Sequence, residues 1–202
     1  GSYIPPSTLI TYRFEVEDSA GNVVTTDFSV LPYHDSRFEW IEISEGPVTV
    51  AYHGPVESRA VEILDAIIQT MDFMEPVLGQ TDRKPIRVTM YNNVSEMLGG
   101  MPPGSSTIRR ELITEGQAFT KIGTLLVLGG GRLSEGTASH EVTHILVERA
   151  AGSIYGNIPS WLNEGLAEFG NLSPSFSYDV AVDFAVHSGR LLPITSMPTM
   201  PG

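Results

Sequence analysis

The spacing of apolar residues changes period along the chain, and each change marks an element. Between residues 8 and 52 the period is two. Tyr12, Phe14 and Val16 alternate with polar residues, and Ser19-Ala20-Gly21-Asn22 is a turn signal that lets residues 23–26 return as a hairpin partner. Phe28 and Val30, then Phe38, Trp40 and Ile43, predict further extended pieces. Gly46-Pro47 interrupts them, and Val48–Tyr52 reads as a strand. After Pro55, placed where a helix tolerates proline, Val61, Leu64, Ile67, Ile68 and Met71 recur at helical spacing. Glu57, Arg59, Glu62 and Asp65 take the other side, and Gly79 closes the helix. Ile86–Tyr91 is again strand-like, so the middle of the chain predicts a strand–helix–strand unit.

Residues 95–98 predict a short helix, and the glycine- and proline-rich stretch 99–106 an exposed loop. Residues 117–128 hold the run Leu125, Leu126, Val127, Leu128, a third strand or a hairpin, which Gly129-Gly130-Gly131 ends. Ser134 is a good cap for the next helix, with Leu133 and Ala138 able to staple its entry. Two more helices are expected over about residues 160–171 and 177–188, before an irregular, proline-containing tail. The class is α+β. A strand-rich segment, 1–45, is expected to precede a second domain, 46–202.

Composition narrows the chemistry. At 202 residues the chain suffices for one good core or two small ones. A net charge of -12 disfavours nucleic acid and anionic membrane surfaces as partners. No stretch approaches the length of a membrane span, and no basic-then-apolar leader is recognisable. Cysteine is absent, which leaves histidine and carboxylates as the plausible metal ligands.

Those ligand types converge at His140-Glu141-Val142-Thr143-His144. On a helix, residues four apart share a face, so His140 and His144 can hold one zinc ion. Glu141 is then close enough to take a proton from a water at the metal. A third ligand is available in Pro159-Ser160-Trp161-Leu162-Asn163-Glu164-Gly165-Leu166-Ala167-Glu168-Phe169. Glu164 follows His144 by 20 residues, enough for one helix to end and another to return, and Glu168 lies one turn further on the same face. A carboxylate there suits acceptance of the free imidazole N–H of His140. Trp161, Leu162, Leu166 and Phe169 read as packing residues, and His34, His53 and His187 as structural or exposed.

The pair His140-Glu141-x-x-His144 and Asn163-Glu164-x-x-x-Glu168 resembles the gluzincin zinc metallopeptidases. "IPSWLNEGLAEF" is more similar still to bacterial peptidase MA-like families. The resemblance implies a zincin-like domain with a mixed sheet, long helices and a helical lower part. It implies one zinc per chain on His140, His144 and Glu164, with Glu141 as general base and Glu168 as a brace. "GQAF" resembles the edge strand along which such enzymes hold peptides, which makes Gln117, Ala118 and Phe119 substrate-binding candidates. Tyr155 is the nearest tyrosine to act as oxyanion donor. The resemblance also implies further helices after Ser188-Gly189-Arg190-Leu191-Leu192-Pro193-Ile194-Thr195-Ser196-Met197-Pro198. "YRFEVEDSAGNVVT" resembles the last strands of an Ig-like or fibronectin-III-like module, which beside a peptidase suggests a bacterial secreted or surface protein. The expected function is zinc-dependent peptide-bond hydrolysis. Alternatives are a catalytically weak or inactive binding or adhesion module on the same scaffold, and a metal-dependent hydrolase of non-peptide substrates.

Overall fold

The computed structural model describes residues 3–102, 115–130, 134–191 and 193. Part of the expected 99–106 loop, Gly131, Leu133 and nearly all of the tail lie outside them. The first strands are β1 (Thr8–Tyr12), β2 (Glu15–Glu17), β3 (Val23–Thr25) and β4 (Ser29–Tyr33). They form one hairpin, β1 antiparallel to β4 and β2 antiparallel to β3. Its turn is fixed by the Asp18 carboxylate, which accepts the backbone N–H groups of Ala20 and Asn22. The sequence alternation anticipates half-buried strands, yet none of these strand residues is buried. Val16 and Val24, opposite each other, are 63% and 67% exposed. Alternation gives a ribbon two chemically distinct faces, but burial needs a second layer, and the described residues supply none here.

The main sheet is built from β5 (Ile41–Glu45), β6 (Val48–Tyr52), β7 (Ile86–Tyr91), β8 (Gly116–Phe119) and β9 (Thr124–Leu128), in the order β5-β6-β7-β9-β8. β6, β7 and β9 are parallel, and the two edge strands run antiparallel to their neighbours. The expected boundary between residues 45 and 46 therefore falls inside a hairpin of this sheet. β5 contributes Ile43 to the core, and buried Ser7 is tied to β7 by hydrogen bonds from Thr89 Oγ1 and Arg87 Nε. Residues 117–128 adopt the hairpin alternative, β8 and β9 joined through a 3-10 turn over Thr120–Ile122.

Between β6 and β7 runs α1 (Glu57–Val77), closed by Gly79 in the left-handed conformation. The face it buries is Ala60, Ile63, Leu64, Ile67, Met71 and Met74, whereas Val61 is 40% exposed. Each large side chain taken from water there contributes about 1.5–3 kcal/mol. The remaining helices are α2 (Val94–Gly100), α3 (Ser134–Ala151), α4 (Ser160–Phe169) and α5 (Phe176–His187). Ser134 is the first described residue of α3. α3 lies against α1 on one side, β8 and β9 on another, and α4 on a third. This places the His-Glu-x-x-His turn between the edge strand of the sheet and the returning helix.

Candidate metal centre

Helical spacing alone brings His140 and His144 together, with their Nε2 atoms 3.2 Å apart and their rings edge to face. Glu164 arrives from α4. Its Oε2 is 3.4 Å from His140 Nε2 and 3.6 Å from His144 Nε2. These three residues form the group among the described residues whose ligand atoms could hold an ion. Their triangle can be tested against zinc, whose nitrogen and carboxylate ligands sit at about 2.0–2.2 Å in a tetrahedron. Donors in that geometry are about 3.3 Å apart. Edges of 3.2, 3.4 and 3.6 Å match it.

The surroundings of the two rings point the same way. His140 Nδ1 is 3.0 Å from Glu168 Oε1. With that nitrogen carrying the proton and donating to the carboxylate, the Nε2 lone pair faces the triangle. His144 differs, because its Nδ1 is buried and has no hydrogen-bond partner among the described residues. Three electron-rich atoms facing one another repel unless a cation or a proton lies among them, and the donor set suits a cation. The residues present therefore fit a zinc ion.

Glu141 points from α3 toward the edge strand, where its Oε2 accepts the backbone N–H of Ala118 at 2.8 Å. That contact depends on Gly116. A Cβ at that position would stand 2.6 Å from Glu141 Cγ and 2.7 Å from Thr137 Cγ2, so only glycine lets strand and helix approach this closely. Burial raises the pKa of Glu141, as does the charge of Glu164, while His144 and the Ala118 N–H pull it back. The net direction is upward from the ordinary glutamate range, with burial the largest cause.

An open cleft of about 360 Å³ joins these groups, lined by Gln117, Ala118 and Thr120 on the sheet side and by Tyr155, Asn163 and Glu164 opposite. A second hollow of about 550 Å³ lies on the other flank of His140 and Glu141, walled by Thr137, Asn171, Phe176 and Tyr178. Phe119 sits elsewhere, packed with the Tyr91–Met97 cluster and 5.7 Å from the Tyr3 ring. Tyr155, in the 3-10 segment Gly152–Asn157, keeps its hydroxyl 3.3 Å from the donating Asn163 amide, and burial raises its pKa. Asn163 was not singled out from sequence as a site residue. Its position next to Glu164 was the available signal. His187 is exposed at the end of α5 and bonds to the Asp183 carbonyl. His34 pairs with Glu42, and His53 with Glu96. None of these three histidines lines the cleft.

With this geometry in place the comparison with known families becomes specific. A model of the Peptidase MA superfamily matches residues 64–200, from the middle of α1 through the metal-site helices and beyond α5. The chain belongs to the Peptidase MA superfamily. A search of curated proteins finds no match to it. Superfamily membership accounts for the mixed sheet and helices as a peptidase-type domain and implies protein or peptide substrates. No helix among the described residues is long and apolar enough to cross a membrane.

Proposed function

We propose that this Peptidase MA domain is a zincin-fold zinc metallopeptidase of gluzincin type. His140, His144 and Glu164 are its ligands, Glu141 is its general base, and Glu168 orients His140. The observation that carries the reading is the ligand triangle with a buried carboxylate beside it in one cleft. A zinc ion held there supplies Lewis acidity, which polarises both a water and the scissile carbonyl.

The chain's own residues do the rest. Glu141 takes a proton from the attacking water as its oxygen adds to the carbonyl carbon, then passes it to the amine nitrogen as the carbon–nitrogen bond breaks. The upward shift of its pKa fits both transfers. Tyr155 lines the opposite wall with its hydroxyl steadied by Asn163, placed to donate to the oxyanion that develops. β8 is an edge strand that lines the cleft through Gln117 and Ala118, so an extended peptide can lie along it there.

The test is hydrolysis of a panel of quenched peptides by the zinc-loaded chain, with Glu141→Gln alongside. The variant is expected to retain the metal and lose about 10²–10⁴ in kcat/KM, the usual contribution of a general base. Equal rates for the two proteins would overturn the assignment of Glu141. Cleavage of esters or small amides without any peptide would favour a non-peptide hydrolase.

A further inference from the structure

At the far end of β8 the cleft continues through Thr120 into a separate hollow of about 580 Å³, since that threonine lines both. The chain's only lysines, Lys84 and Lys121, line this hollow, together with Arg149. They lie 37 positions apart and meet because β7 and the β8–β9 turn end side by side. Arg149 is already committed. It donates to the Lys84 and Pro85 carbonyls, and Glu75 and Asp82 act on its charge. Glu148 adds one carboxylate to the lining, with its Oε2 shut away from solvent. The two ammonium groups have no ion-pair partner among the described residues. A protein of net charge -12 thus presents, beside this cleft, a hollow lined by three cationic side chains and one carboxylate.

We propose that this pocket reads an acidic side chain of the substrate. The inference rests on the peptidase reading, since it takes the peptide to lie along β8. From Ala118, next to Glu141, to Lys121 is three residues of strand and tight turn, about 6–10 Å. The recognised Asp or Glu therefore lies two to four residues from the scissile bond, on the side that faces Lys121. The surrounding negative charge makes the pocket selective, because acidic peptides are repelled wherever a carboxylate fails to reach it.

The experiment walks a single Glu, paired with Gln, through each position of a quenched peptide that the chain cleaves. The same peptides, fluorescein-labelled, are bound to zinc-loaded Glu141→Gln and followed by anisotropy. Glu is expected to be favoured over Gln about 2–5-fold at one such position, in kcat/KM and in Kd, and less so at high salt. The preference should vanish in Lys84→Gln/Lys121→Gln and reverse toward Lys peptides in Lys84→Glu/Lys121→Glu. A ratio near one in the parent chain, or a preference that survives the double substitution, would overturn the pocket. Cleavage without preference rejects the pocket and keeps the peptidase. Lysine-dependent binding of Glu peptides without cleavage of any peptide does the reverse.

Discussion

α3 and α5 invert the usual relation between composition and burial. α3 carries Ser, Thr, His, Glu and Arg over much of its length, yet eleven of its residues are buried, Glu141, Thr143 and His144 among them. α5 is far more apolar, with Phe176, Tyr178, Val180, Val182, Phe184 and Val186, and none of its residues is buried. Phe176 is 79% exposed. What separates them is position. α3 is enclosed by α1, by β8 and β9, and by α4, and several of its polar groups have close partners: Thr143 Oγ1 donates to the Ser139 carbonyl, and His140 meets Glu168. Enclosure keeps the Glu141 carboxylate away from water, and that desolvation drives its pKa upward.

Paired truncations break or sharpen the contrast. Ile145→Ala, in the packed face of α3, is expected to cost about 2–5 kcal/mol in denaturant unfolding. Val182→Ala, on exposed α5, is expected to fall within about 0.5 kcal/mol of the parent. Similar losses would mean that α5 is covered in solution. Glu168→Gln is expected to weaken zinc binding by about 10–100-fold, measured by competition with a chromophoric chelator, while leaving one ion per chain. An unchanged affinity would make the Glu168 contact incidental.

The smallest effect concerns acid stability. A carboxyl whose pKa is higher folded than unfolded stabilises the fold while protonated, and that contribution is lost as pH rises through the raised value. Urea midpoints of the metal-free chain should therefore decline from the ordinary glutamate range upward, and Glu141→Gln should flatten that component. A decline identical in the variant would assign it to another group.

Much of this was legible because it is local. The helical period over Leu64, Ile67 and Met71 locates α1, and the i, i+4 pair at His140 and His144 needs only a helix to bring its two imidazoles together. Glu164 was readable because α4 announces itself through Pro159 and its own apolar spacing. The features that escaped are those that sheet order creates. β5 shows only Ile41 and Ile43 as apolar strand residues, so nothing in its pattern separates it from the exposed hairpin before it. Register with β6 decides the matter. The Ala118–Glu141 hydrogen bond exists because β8 is the outer strand next to α3, and the Lys84–Lys121 pocket because β7 and β9 are neighbours. Phe119 faces a second apolar cluster for the same reason, by strand alternation.

The central claim is that three side chains from two helices form one tetrahedral zinc site. Zinc stoichiometry after metal removal and reloading, with X-ray absorption at the zinc edge, tests it most directly. The account predicts one zinc per chain with two imidazoles and one carboxylate at about 2.0–2.2 Å, and loss of that site in His144→Ala and in Glu164→Ala. A chain that takes up no zinc, or binds it equally well without Glu164, would contradict it.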